Sequence, residues 1–217
     1  MNLRNAAALA LLGWYLATPA SSLAAGAKSK VATYTNQTYG FSFQYPSDWI
    51  LKEGDKVKLD WGYVGLVENS LPHGATVVFV EAPFQPPDPP GSKFLSAIEF
   101  VQVRVDRNLA PGACNQSSFA GLDKPGMPGI EPYAGKFPTG KVGAVQFTEA
   151  QMTAAMMGHQ AISRYYHVFQ NHTCYEFQLG LCETWTMRNS DDELEDDFSD
   201  LKDILATLTI FSHSAAN

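Results

Sequence analysis

The chain has 217 residues, of which 17% are charged and 45% hydrophobic, which excludes a disordered tail, a collagen-like fibre and a polytopic membrane protein. Fifteen basic against 22 acidic side chains give a formal charge of −7, so a sequence-independent grip on nucleic-acid phosphates is excluded as well. What remains is material for one domain with a sizeable core.

The first stretch reads as a secretory leader. Met1 to Arg4 carries one basic side chain, Ala6 to Leu16 is a short apolar run, and Thr18 to Ala27 is dominated by small residues. Cleavage is expected after Ala24 or Ala27, leaving a single domain over residues 28–217. The apolar run is shorter than the roughly 20 residues of a membrane span, and no later run approaches that length. Ala27 stands where a lipidated cysteine would be, so no lipid anchor is expected. The expected location is therefore periplasmic or secreted.

Export implies an oxidising compartment and makes a disulfide reasonable among Cys114, Cys174 and Cys182. Cys174 and Cys182 fall in one predicted strand, where eight residues of rise separate them by about 26 Å. A disulfide needs Cα atoms within about 7 Å, so those two do not pair with each other. The expected bridge joins Cys114 to Cys174 or Cys182.

In chain order, Tyr34 to Tyr45 gives a strand signal, with Phe41, Phe43 and Tyr45 alternating against Ser42 and Gln44 until Pro46 stops it. Trp49 to Leu51, Lys56 to Tyr63 and Ala75 to Glu81 read as further strands, and the prolines between Pro83 and Gly91 as an extended linker. Ser92 to Leu109 carries two periods. Val101, Val103 and Val105 alternate, yet Phe94, Ile98, Val101, Val105 and Leu109 recur at helical spacing, and the length favours a helix. Residues 111–140 hold six glycines and five prolines, an expected loop, mobile or acting as a lid. Lys141 to Glu149, Gln160 to Phe169 and Thr173 to Cys182 read as strands. A closing helix starts at Ser190, where Ser190 and Glu193 match a capping box, with Leu194, Phe198, Leu201, Leu205 and Leu208 as its apolar stripe.

The run Tyr39-Gly40-Phe41-Ser42-Phe43-Gln44-Tyr45-Pro46-Ser47-Asp48-Trp49 resembles the opening of PsbP-like proteins, whose domain begins with such a strand and closes with an amphipathic helix. The resemblance spans Val31 to Phe211 and implies an α+β fold, an antiparallel β-sheet flanked by helices on both faces. It implies little about activity, because proteins of this fold include a photosystem II accessory protein, a nuclear-transport factor that binds a Ran-type GTPase, and many secreted bacterial proteins. No binding residue carries over by motif. Taken alone, the same run is structural: Gly40 permits a positive φ, the aromatics bury one face, and Pro46 with Asp48 turns the chain.

Three constellations carry chemistry. In the hairpin over Gln160 to Cys182, a loop centred on Asn171-His172 places His167 opposite Glu176, Tyr165 opposite Gln178, and Phe169 opposite Cys174. A histidine beside a carboxylate is the unit from which general bases are made, and equally a plain cross-strand ion pair. Met152, Met156, Met157 and His159, read as the turn before that hairpin, have the soft donors that suit Cu(I), and equally those of a packed turn. Glu183 to Asp203 holds nine acids against Arg188 and Lys202, with Asp196, Asp197 and Asp200 beyond what the helix N-terminus favours. That face is either solvated or a docking patch for a basic partner.

No zinc spacing, no C-x-x-C pair and no cofactor motif is present in the sequence. The expected function is that of an exported, soluble, non-enzymatic binding or accessory protein of the bacterial envelope, its partner a protein or small molecule. The alternative is a small envelope enzyme or ligand-binding protein using His167 and Glu176 beneath the loop at 110–140.

Overall fold

The computed structural model describes residues 30–57, 71, 74–83, 97–115, 139–156, 159–184 and 191–212. The leader, residues 84–91 of the expected linker, residues 92–96 of the expected helix and most of the glycine- and proline-rich segment lie outside them, as do Lys58 to Tyr63 of the expected third strand.

Among the described residues ten strands form two antiparallel sheets. The smaller has the order β1-β2-β10, built from β1 (Val31–Asn36), β2 (Phe41–Pro46) and β10 (Thr209–Ile210). The larger has the order β3-β4-β5-β9-β8-β7-β6, with β3 (Ile50–Glu53), β4 (Ala75–Glu81), β5 (Ala97–Asp106), β6 (Thr139–Val142), β7 (Val145–Met156), β8 (His159–Gln170) and β9 (Thr173–Thr184). Among the described residues two α-helices accompany them, α1 (Pro111–Cys114) and α2 (Asp191–Ala206), with a single 3-10 turn at Gly54–Lys56. No described helix is long and apolar enough to cross a membrane.

Alternation of side chains sets the two faces of the large sheet. Val101, Val103 and Val105 of β5, Tyr166 and Val168 of β8, and Tyr175, Phe177, Leu179 and Leu181 of β9 point into the main core. There they meet Phe198, Leu201 and Leu205 of α2 and the aromatics Tyr34, Phe41 and Phe43 of the small sheet. Phe41 stands edge-on to Phe177, with ring centroids 6.2 Å apart, which joins the two sheets. Arg164 lies 4.3 Å over the Phe198 ring and donates from Nε to Gln151 at 3.0 Å, so its stem covers apolar surface while its head is satisfied.

Several expectations change. The stretch expected to be a helix, Ser92 to Leu109, supplies the central strand β5. Pairing with β4 and β9 occupies both edges of that strand, both its faces are buried, and the two-residue alternation of its valines prevails over the looser helical spacing. The expected helices on both faces are consequently absent from the described residues: α2 and the small sheet share one face, and the other carries α1, a single turn. The aromatic stretch Tyr34 to Tyr45 is two strands, split at Gly40 (φ 71°). Lys141 to Glu149 is likewise split, into β6 and β7, at Gly143 (φ 58°), where a Cβ would sit 2.5 Å from the Ala206 carbonyl oxygen. The proposed turn at Met152 to His159 is mostly strand, since β7 continues to Met156.

Gly180 shows how closely the sheet is packed. A Cβ there would lie 2.0 Å from the Phe100 ring of β5, which lies across the glycine and stacks on Phe79 at 5.1 Å. Gly180→Ala is expected to cost about 1–3 kcal/mol through overpacking, and Phe100→Leu in the same chain should restore part of that loss in urea melts. Equal losses with and without the second change would refute this contact.

Candidate functional site

The hairpin of β8 and β9 turns at Asn171 and His172, both with positive φ (52° and 57°), the conformation of a tight two-residue hairpin turn. Its register is the expected one: Tyr165 faces Gln178, His167 faces Glu176 and Phe169 faces Cys174. These residues share the face turned away from α2, together with Gln102, Arg104 and Asp106 from β5. The result is a polar layer on an otherwise apolar sheet, and every one of these β5 side chains is buried.

At its centre His167 Nε2 and Glu176 Oε2 lie 2.7 Å apart, the imidazole N–H donating to the carboxylate, and each residue is 1% exposed. Arg104 places Nη1 3.9 Å from Glu176 Oε1 and donates from Nη2 to the Gly74 carbonyl at 2.8 Å. Gln178 Nε2 donates to Ser163 Oγ at 3.0 Å and to the Tyr165 hydroxyl at 3.2 Å. Gln102 Nε2 donates to Thr76 Oγ1 at 3.0 Å. Burial, and then the charge of Glu176, push the Tyr165 phenol well above its ordinary range, so it stays neutral.

At one end of the layer Cys174 is bridged to Cys114 of α1, with Cα atoms 5.6 Å apart and a separation of 60 in sequence. The chain thus selects Cys174 of the two partners that strand geometry left open. Cys182 is a buried free thiol, and burial pushes it up to about 11, which makes it a poor nucleophile at neutral pH.

Such a layer has the composition of a catalytic site and the solvation of a core. Imidazole, carboxylate and guanidinium lie side by side inside the protein, each less than a tenth exposed. Sequence reasoning missed Gln102, Arg104 and Asp106, although their alternation with Val101, Val103 and Val105 carried the signal.

A cavity of about 530 Å³ opens elsewhere, between the end of the β1–β2 hairpin and the last turns of α2. Tyr45 and Trp49 contribute aromatic wall, Ile204 an apolar one, and Asp48, Glu99, Asp200 and Asp203 carboxylates. Trp49 N–H donates to the Pro46 carbonyl at 3.0 Å and Ser47 N–H to the Lys30 carbonyl at 2.7 Å, which fixes the turn that presents Asp48. Gln44 N–H donates to Thr207 Oγ1 at 2.8 Å, tying the helix end to β2.

Of the acidic candidates, Asp200 lines this cavity, while Asp196 and Asp197 belong to α2 with side chains outside the described residues. Met152 and Met156 lie on β7, with Met156 paired to His159 at the start of β8. Their side chains, and Met157 altogether, are outside the described residues. Among the described residues no group of three or more His, Cys, Asp or Glu side chains forms a metal-binding cluster.

No protein-family profile and no curated protein matches the chain. The chain is similar to the cyanobacterial PsbP of Synechocystis sp. PCC 6803, at 9% identity and a TM-score of 0.46 over 89% of this chain and 100% of that one. It is similar to LpqN, involved in cell envelope biogenesis of Mycobacterium tuberculosis, at 14% identity and a TM-score of 0.45 over 86% and 87% of the two chains. A Bacteroides thetaiotaomicron protein is similar at 10% identity and a TM-score of 0.42, over 83% of this chain and 48% of that one.

Proposed function

We propose that this is an exported, non-enzymatic binding or accessory protein of the bacterial envelope, and that it meets its partner at the cleft between β2 and α2. The observation that carries the reading is the separation of the two polar constellations. The one with catalytic composition, His167 with Glu176, is sealed at 1% exposure, whereas the open concavity holds no nucleophile–base pair. The Cys114–Cys174 bridge supports a compartment outside the reducing cytosol, in agreement with the leader-like pattern before residue 28. Burial of His167 and Glu176 weighs against the alternative of an enzyme working at that pair.

The test is photo-crosslinking in the producing cell, with benzoylphenylalanine placed at Thr207 in the cleft or at Asp55, an exposed position elsewhere. A conjugate specific to Thr207 is expected. No conjugate, or the same conjugate from both positions, overturns the reading.

A further inference from the structure

Resting on that reading, the geometry points to the chemistry of the partner: we propose that the cleft takes an extended protein segment in which a lysine or arginine lies next to an apolar residue.

Two features of different origin make the cleft selective for a cation. The first is the carboxylates of Asp48, Asp200 and Asp203, with no Lys, Arg or His among its described lining residues. The second is the aromatic wall of Tyr45 and Trp49, whose ring faces attract an ammonium or guanidinium group, indole most strongly. These add because they act on the same small volume: carboxylates supply the charge, and the rings supply a weakly hydrated surface for the stem of a long basic side chain.

The apolar surroundings favour a protein segment over a free polyamine. Val31, a large hydrophobic side chain that is 61% exposed, lines the cleft. A small amine leaves it in water, whereas a chain carrying an apolar residue beside its basic one covers it. The cavity has room for one or two such side chains. Its walls are already held by the Trp49–Pro46 and Gln44–Thr207 hydrogen bonds, so little ordering is needed on binding.

The experiment is calorimetric titration of the oxidised chain with a blocked peptide of alternating lysine and leucine, with the same peptide acetylated on every lysine, and with spermidine. It is repeated in 0.5 M NaCl and with the isosteric variant Asp200→Asn/Asp203→Asn, whose unchanged circular dichroism and melting temperature certify the fold. Expected are binding of the lysine peptide in dilute buffer, at least tenfold weaker binding by the variant, a similar loss in salt, and no binding of the acetylated peptide. The inference is overturned if the lysine peptide does not bind, if the variant binds it equally, if acetylation is without effect, or if spermidine binds as tightly. Any of these results beside an intact Thr207 conjugate removes the cationic partner alone, whereas loss of that conjugate removes the binding reading itself.

Discussion

Glu176→Ala is expected to lower the unfolding free energy by about 3–5 kcal/mol, the usual penalty for removing one partner of a buried ionic pair. The carboxylate accepts from His167 at 2.7 Å and stands 3.9 Å from the Arg104 guanidinium. Alanine leaves that guanidinium inside the protein without the Glu176 carboxylate beside it. His167→Ala is milder because an imidazole can be neutral, and it should cost about 1–3 kcal/mol. Because the two side chains interact directly, the double variant should cost less than the sum of the single ones. Replacing Glu176 and His167 by leucine together with Arg104→Met should cost less than Glu176→Ala alone, since the shape of the layer is then filled with no guanidinium left behind. Urea melts of the oxidised protein at neutral pH read all four. A loss below about 1 kcal/mol for Glu176→Ala would mean that water reaches the layer, and the enclosed character on which the functional reading depends would be wrong.

The second large effect concerns the bridge between Cys114 and Cys174. A link across 60 residues restricts the unfolded chain enough to contribute about 4 kcal/mol on the loop-entropy relation. For a domain of this size that corresponds to a fall in melting temperature of about 8–16 °C on reduction or in Cys114→Ser/Cys174→Ser. Scanning calorimetry with and without a reductant provides the measurement, and Cys182→Ser, which leaves the bridge intact, should still show the reductant-dependent fall. A shift below 2 °C would show that native contacts alone hold α1 to β8 and β9. Both cysteines are buried beside Leu71, so a sulfur-free variant also leaves a packing defect, and reduction of the unaltered chain is the cleaner comparison.

These two effects arise in the part of the molecule that was most legible before any coordinates. The β8–β9 hairpin announces itself by strict alternation and by Asn171-His172, so one loop position fixes every cross-strand pair from Gln170–Thr173 outward. The exclusion of a Cys174–Cys182 bridge follows from strand rise alone. Strand β5 was obscured for a physical reason: both its faces are buried, so apolar and polar residues are interleaved without the solvent-facing half that marks an ordinary antiparallel strand. Missing β5 concealed Arg104, and with it the charge that balances Glu176. The split of Lys141 to Glu149 hinges on one glycine pressed against the end of α2, a contact no local pattern encodes. The cleft is harder still. Its walls come from Val31, from residues 44–49, from Glu99 and from residues 200–207, and only the fold assembles them.

The small sheet has a consequence for how the chain reaches its native state. Strand β2 is flanked by β1, its neighbour in sequence, and by β10, and the bond between Gln44 and Thr207 joins positions 163 apart. Until the distal strand has been synthesised, the edge of β2 that will receive it is open and the aromatics Phe41 and Phe43 lack the cover of α2. Contacts of such long range make folding slow and place its completion after translation of residue 210. A nascent chain of this topology keeps that edge and those aromatics exposed for as long as it is being made.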